Sequence, residues 1–275
     1  MPTMDSQRPD AAVCGAIGSA IAMRRVLILG GTAEARCLAA LLAAHTDLAV
    51  TVSLAGRTAS PGEQPVAVRI GGFGGADGLA DYLSRERIDA LIDATHPYAR
   101  TISANAASAA RRTRIPLLAV RRPPWIAIAG DCWSEAADVT EAVRALADRS
   151  RRVFVALGRQ ELRPFEQAPQ HYYLVRSIDP VTPPLAVPYA TYVTARGPFD
   201  ETAERALLAQ HRIEVVIAKN SGGTASYAKI AAARVLHLPV ILLRRPTLPQ
   251  VPAVDQVDDV LPWLDQLTAS MARGV

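Results

Sequence analysis

Three features of the sequence predict an α/β protein of two doubly wound parallel-sheet domains facing a cleft. From Arg24 onward, short apolar runs rich in β-branched residues alternate with alanine-rich stretches of helical length. The runs are almost continuously apolar, as strands buried on both faces are. Most end in glycine, arginine or a small polar residue, and open parallel sheets bind their ligands at the carboxyl ends of the strands.

In the first half, strands are expected near 25–30, 48–54, 66–70, 89–94 and 116–121, with helices near 33–44, 76–86 and 99–112. Five strands with crossover helices make one doubly wound unit. A second series follows Asp131: a helix near 139–149, strands near 152–157, 172–177, 191–195, 214–218 and 239–243, and helices near 201–211, 225–236 and 257–270. The stretch Pro123 to Asp131 reads as the linker. This divides the chain into a first domain over 23–130 and a second over 131–275. Residues 1–22 precede the first strand without periodicity and read as a disordered extension, with Met23 as a working start.

Half of the 275 residues are hydrophobic, but no apolar run approaches the roughly 20 residues needed to span a bilayer, so no membrane partner is expected. The formal charge of +4 is carried almost entirely by arginine, because the only lysines are Lys219 and Lys229. A GC-rich genome accounts for such a skew as well as function does, yet arginine's planar fork binds carboxylate and phosphate bidentately. No basic block or aromatic ladder suited to nucleic acid accompanies the arginines. Cys14, Cys37 and Cys132 form no CxxC or Cys/His cluster, so no metal is expected, and an odd, unpaired set suits a reducing cytoplasm.

Gly30 and Gly31 follow the first strand directly, and Thr32 can cap the helix beginning at Ala33, leaving backbone N–H groups aimed at an anion. This is the physics of a dinucleotide phosphate site, although a glycine turn before a helix is common in α/β proteins. Glu34 complicates it, since a carboxylate in the first turn suits the helix dipole but repels a pyrophosphate. The second strand ends without the acidic residue that binds an NAD ribose. Arg57 stands there instead, with Ser53, Gly56 and Thr58 nearby, and an arginine at this point fits the 2′-phosphate of NADPH unless it is only a solvated loop residue. The run Gly71 to Gly75, which includes Gly72 and is broken only by Phe73, lets backbone approach a ligand or is simply a flexible loop.

Thr95, His96 and Tyr98 follow the fourth strand. Thr95 is expected at the cofactor, and His96 and Tyr98 are candidate proton donors or, alternatively, packing and capping groups. Lys219, Ser221 and Gly222 belong to a second anion-binding turn, KNSGG, in the other domain. Arg121, Arg122, Arg159, Arg176, Arg196, Arg244 and Arg245 stand at strand ends and would line a cleft suited to a ligand with many carboxylates.

Seven segments carry a resemblance: LGGTAE at 29–34, RIGGFGGADGL at 69–79, IDATHPYA at 92–99, RPPW at 122–125, LGRQELRPF at 157–165, ARGPF at 195–199 and KNSGG at 219–223. In order and spacing, over about residues 24–265, they resemble the precorrin-6A reductase family. The resemblance implies two Rossmann-like domains and hydride transfer from NADPH to a tetrapyrrole, precorrin-6A, giving precorrin-6B in cobalamin synthesis. RIGGFGG resembles the oxygen-dependent branch, with its metal-free substrate, rather than the cobalt branch. A short-chain dehydrogenase would need Tyr-x-x-x-Lys, and no tyrosine here has lysine four positions on. A nucleotide-sugar glycosyltransferase with two facing domains, and a non-catalytic NADPH sensor, are the remaining alternatives.

Overall fold

In a computed structural model, which describes residues 23–56 and 62–272, the chain forms two six-stranded, all-parallel sheets. The expected extension over 1–22 and the candidate Arg57 lie outside the described residues. The first sheet is entered with β1 (Arg24–Leu29), α1 (Ala33–Ala43), β2 (Leu48–Leu54), β3 (Ala67–Ile70), α2 (Gly75–Arg85), β4 (Ala90–Asp93), α3 (Arg100–Thr113) and β5 (Leu117–Val120). The chain then crosses over for β6 (Trp133–Ala136), α4 (Val139–Arg144), β7 (Arg152–Ala156), β8 (Tyr172–Ser177), β9 (Ala190–Thr194), α5 (Glu201–Gln210), β10 (Val215–Lys219), α6 (Ala228–Val235) and β11 (Val240–Leu243). It returns to the first sheet with β12 (Ala253–Val254) and ends in α7 (Val260–Ala272).

The sheet orders are β12-β5-β4-β1-β2-β3 and β6-β11-β10-β7-β8-β9. Each is a doubly wound, Rossmann-like arrangement whose sixth strand comes from outside its own run of five. In the second sheet that place is taken by β6, which precedes the other five. In the first it is taken by β12, from the far end of the chain. The expected second domain over 131–275 is therefore corrected at its end: residues 253–272 belong to the first sheet. The physical reason is burial, because Val260 and Leu264 of α7 are fully enclosed in the core that α1 forms on β1 and β2. Neither β12, two residues long, nor β6 has a periodicity that a sequence could reveal.

Strand β1 shows why a period of two sorts the core. Val26 and Ile28 face the side covered by α1 and α7, while Leu27 and Leu29 face the side covered by α2 and α3. The second sheet repeats the arrangement, with Val153 and Val155 packed toward α4 and Phe154 toward α5 and α6. Helix α4 is shorter than the expected 139–149, and Ala147 just beyond it adopts the left-handed conformation, φ 57°, typical of a chain leaving a helix. Among the described residues no helix is long and apolar enough to cross a membrane.

Candidate active site

Strand order in the first sheet reverses between β4 and β1, which opens a crevice at their carboxyl ends. Gly30 and Gly31 stand at its base. A Cβ on Gly30 would lie 2.9 Å from Val52 Cγ1, and Gly31 has φ +109°, so both positions require glycine. Thr32 caps α1, accepting from Ala35 N at 3.0 Å, and donates its own proton to Ala94 O at 2.8 Å. One hydroxyl thus fixes the helix N-terminus against the end of β4, and the remaining first-turn N–H groups face the crevice.

The electrostatic difficulty posed by Glu34 is met by Arg122, which forms an ion pair with it. Arg122 Nε also donates to Ser221 O at 2.6 Å. Arg122 is thus corrected from an open cleft cation to a tie between the phosphate turn and the KNSGG loop. Contact between the two is close, since a Cβ on Gly223 would meet both Glu34 Oε1 and Arg122 Cδ at 3.1 Å.

At the ends of β2 and β3, Arg69 organises the glycine loop. It donates to the carbonyls of Gly71 and Gly72 and to Ser53 Oγ, and stacks 3.8 Å from the Phe73 ring centroid. Ser53 is therefore a buried support for Arg69 rather than a group facing a ligand, a correction to its expected role. Around Gly72, by contrast, nothing lies within 4 Å of an added Cβ, and Gly56 has φ +70°. Arg196 reaches across from the second domain: its Nη1 is 3.5 Å from the Cβ position of Gly62, and Arg36 Nη1 is 4.0 Å from it. Arg196 thus stands beside the first sheet's side of the crevice.

The residues after β4 bind the two domains together. His96 Nδ1 accepts from Tyr98 N at 3.3 Å, which assigns the proton to Nε2, 3.2 Å from Ser221 Oγ. Burial pushes the imidazole down to about 3, and the cations Arg122, Lys219 and Arg245 add to the effect. His96 is thus neutral at physiological pH and its N–H points at Ser221. Tyr98 donates to Leu243 O and accepts from Asn220 N at 2.9 Å, and burial pushes its hydroxyl up to about 12. Both were expected as candidate proton donors. Their hydrogen bonds also make them an interdomain clasp.

Around this clasp Asn220 and Trp125 exchange two hydrogen bonds, 2.8 and 3.0 Å, and Trp125 Nε1 donates to Gly223 O at 2.8 Å. Arg245 spends its donors on three backbone carbonyls, Asn220 at 2.8 Å, Arg122 at 2.9 Å and Pro123 at 3.1 Å. It is corrected from a substrate-facing cation to a staple between the outgoing and returning crossovers. Gly222 sits beneath, where a Cβ would fall 2.1 Å from Pro123 O.

Of the other second-domain cations, Arg176 is corrected most clearly. It is 7% exposed, pairs with the equally buried Glu204, and lies 3.8 Å from the Phe199 ring centroid, so its charge is consumed inside the domain. Lys219 pairs with Glu161 at 2.5 Å and sits 5.1 Å from the Tyr98 ring centroid, at the crevice. Arg159 stands on the exposed turn after β7. Thr95 donates to Asp93 Oδ1 at 2.6 Å and 3.2 Å, through its hydroxyl and its N–H. The groups sequence reasoning passed over are Arg69, Asp93 and Asn220. All lie within the quoted segments; Asp93 and Arg69 act on neighbours two to four residues on, whereas Asn220 meets Tyr98 and Trp125, which are far off in the chain. Among the described residues no group of three or more His, Cys, Asp or Glu is placed to hold a metal.

Comparison with known proteins identifies the family. A family model described as precorrin-6x reductase CbiJ/CobK matches residues 25–265. A protein named precorrin-6A reductase from Sinorhizobium sp is 55% identical over 243 residues, 88% of this chain and 93% of its own length. One of the same name from Rhodococcus erythropolis is 48% identical over 250 residues, 90% of this chain and 99% of its own, whereas a cobalt-precorrin-6A reductase from Priestia megaterium is 28% identical over 81% and 91%. A solved structure described as CobK precorrin-6A reductase superposes with a TM-score of 0.86 at 48% identity, over 89% of this chain and 97% of that one. With the match running through both sheets and the crossovers between them, the chain belongs to the precorrin-6x reductase CbiJ/CobK family.

Proposed function

We propose that this chain reduces precorrin-6A to precorrin-6B with NADPH, an oxidoreductase step of cobalamin biosynthesis. The observation that carries the reading is the crevice at the β1/β4 reversal, where a glycine turn and the Thr32-capped helix face the KNSGG loop of the other sheet. The higher identity to relatives named for the metal-free substrate supports precorrin-6A over its cobalt form.

The residues present fit a dinucleotide. Gly30, Gly31 and Thr32 supply backbone N–H groups for a pyrophosphate, Glu34 is neutralised there by Arg122, and Gly56 and Gly72 let the backbone come close. Arg57, by its place after β2, is assigned to the 2′-phosphate, with Arg36 and Arg196 converging beside Gly62. NADPH supplies the hydride when bound. The protein's part is to orient and exclude water, and for this the clasp of His96, Tyr98, Asn220 and Arg245 holds the domains in register. Lys219 and Arg159 are the cations assigned to the substrate's carboxylates. Cys37 and Cys132 are free thiols, which supports a cytoplasmic setting. The test is oxidation of NADPH, followed by its absorbance, on addition of precorrin-6A under anaerobic conditions. Product of the substrate mass plus two hydrogens is expected, and no NADPH consumption with that substrate overturns the reading.

A further inference from the structure

The second sheet has a strand-order reversal of its own. Its order is β6-β11-β10-β7-β8-β9, so the chain winds outward from β7 in one direction through β8 and β9, and in the other through β10 and β11. A reversal of this kind opens a crevice between the carboxyl ends of the two central strands, and open parallel sheets take their ligands there. Here the two strands are β7 and β10, which run side by side up to Ala156 and Ala218.

An ion pair spans that opening. Lys219 is the last residue of β10, and Glu161 ends the short turn, Arg159–Glu161, that follows β7. Glu161 Oε2 lies 2.5 Å from Lys219 Nζ and also accepts from Gly158 N at 3.2 Å. The turn holds the carboxylate closely, since a Cβ on Gly158 would lie 3.1 Å from the same oxygen. The ammonium is in addition 5.1 Å from the Tyr98 ring centroid. The Lys219 and Glu161 side chains are 19% and 31% exposed, so a ligand can reach this pair, unlike Arg176 and Glu204, whose side chains are 6% and 4% exposed.

The pairing leaves the Lys219 ammonium already neutralised. A lone anion gains little there, because it must displace Glu161 and meets its negative charge on arrival. A carboxylate arm of a ligand held at other points is different: the rest of the bound molecule sets its local concentration at Lys219, so it exchanges with Glu161 where a free anion does not. The displaced Glu161 loses little, since its carboxylate is already partly exposed and still has Gly158 N as a donor. We infer that Glu161 is a latch on Lys219 that a carboxylate arm of the tetrapyrrole opens, and that it makes the second crevice selective for a polycarboxylate over small inorganic anions. Glu161 acts through Lys219 and is a positioning residue. The inference rests on the assignment of Lys219 to the substrate given above.

The test is steady-state NADPH oxidation by the full chain with precorrin-6A, in sodium sulfate and in sodium chloride matched for ionic strength. Glu161→Gln keeps an oxygen for Gly158 N and Lys219 and removes only the charge. It is expected to lower the Michaelis constant for the tetrapyrrole by about threefold to tenfold, the worth of one partly exposed charge contact, and to leave that for NADPH where it was. Sulfate should compete with the tetrapyrrole in Glu161→Gln and not in the unaltered chain. Both effects should vanish when Lys219→Met is added. A purely structural role for Glu161 would instead raise the tetrapyrrole's Michaelis constant and lower the melting temperature. That result, an unchanged constant, no sulfate competition in Glu161→Gln, or a gain that survives Lys219→Met overturns the latch and leaves the proposed function standing. If Lys219→Met alone leaves the tetrapyrrole's Michaelis constant unmoved, Lys219 is not the substrate's cation, and that assignment falls together with the latch.

Discussion

His96 Nε2 lies 3.2 Å from Ser221 Oγ, although 125 residues separate them in the chain. The bond ties the loop after β4 of the first sheet to the loop after β10 of the second, while the same ring's Nδ1 accepts from Tyr98 N, which only a neutral imidazole can do. Protonating His96 costs the acceptor at Nδ1 and adds a charge among Arg122, Lys219 and Arg245. The clasp is therefore sensitive to acid.

Its folded-state value of about 3 lies below the ordinary 6.5, so the unfolded chain takes up the proton first. The stabilisation is whole above about pH 6.5 and is lost as pH falls toward 3. At pH 5 the loss is at most about 2 kcal/mol. His96→Gln, which keeps a side-chain N–H for Ser221 and does not titrate, is expected to flatten this part of the stability curve. Thermal midpoints from pH 7.5 to 5 check it, and parallel curves for the two proteins would contradict it.

Glu34 and Arg122 act as a pair at the phosphate turn. Arg122→Met leaves the Glu34 carboxylate facing the bound phosphates, and NADPH affinity is expected to fall by about tenfold to a hundredfold. Adding Glu34→Gln removes the repulsion, and most of that affinity should return. A double-mutant cycle on NADPH dissociation constants measures the coupling, and additive losses would rule out the pairing as its cause.

Cofactor choice is assigned to Arg57 from its place in the sequence after β2. Arg57→Ala is expected to weaken NADPH by about tenfold to a hundredfold and NADH by much less. Unchanged NADPH affinity in side-by-side titrations of the two cofactors would remove Arg57 from the site.

Arg176 and Glu204 are both almost fully buried and pair with each other. Arg176→Met leaves an uncompensated carboxylate inside the second domain, at a cost of about 3–5 kcal/mol. The Michaelis constant for the tetrapyrrole should scarcely move in whatever fraction stays folded. Denaturant unfolding and steady-state kinetics separate the two effects, and a stable variant with a raised Michaelis constant would restore Arg176 to the cleft.

Leu264 of α7 is 1% exposed in the core of the first sheet, and its carbonyl accepts from Arg24 Nη1 at 2.8 Å. Leu264→Ala is expected to cost about 2–5 kcal/mol. Hydrogen exchange should show the protection lost chiefly in β1, β2 and α1, whereas a C-terminal helix belonging to the second sheet would expose β7 and β10 instead.

The strands and helices were legible in the sequence because their signals are local. The run LAVTVSL at 48–54 and the Gly30, Gly31, Thr32 turn are written in adjacent residues, and the structure places them within those bounds. So is the principle that ligands gather where β1 and β4 end, once the alternation of strand and helix is seen. What only the tertiary structure decided is which charges meet. Glu34 and Arg122 stand 88 residues apart and Arg176 and Glu204 stand 28 apart, yet each pair is in contact. Arginines at strand ends looked alike in the sequence, but burial and topology turned Arg176 inward, set Arg122 and Arg245 across the crossovers, and left Lys219 at the crevice. Strand β12 was decided in the same way. Its two residues carry no periodic signal, and they join the first sheet because α7 buries Val260 and Leu264 there, a long-range gain in apolar contact that no window of sequence contains.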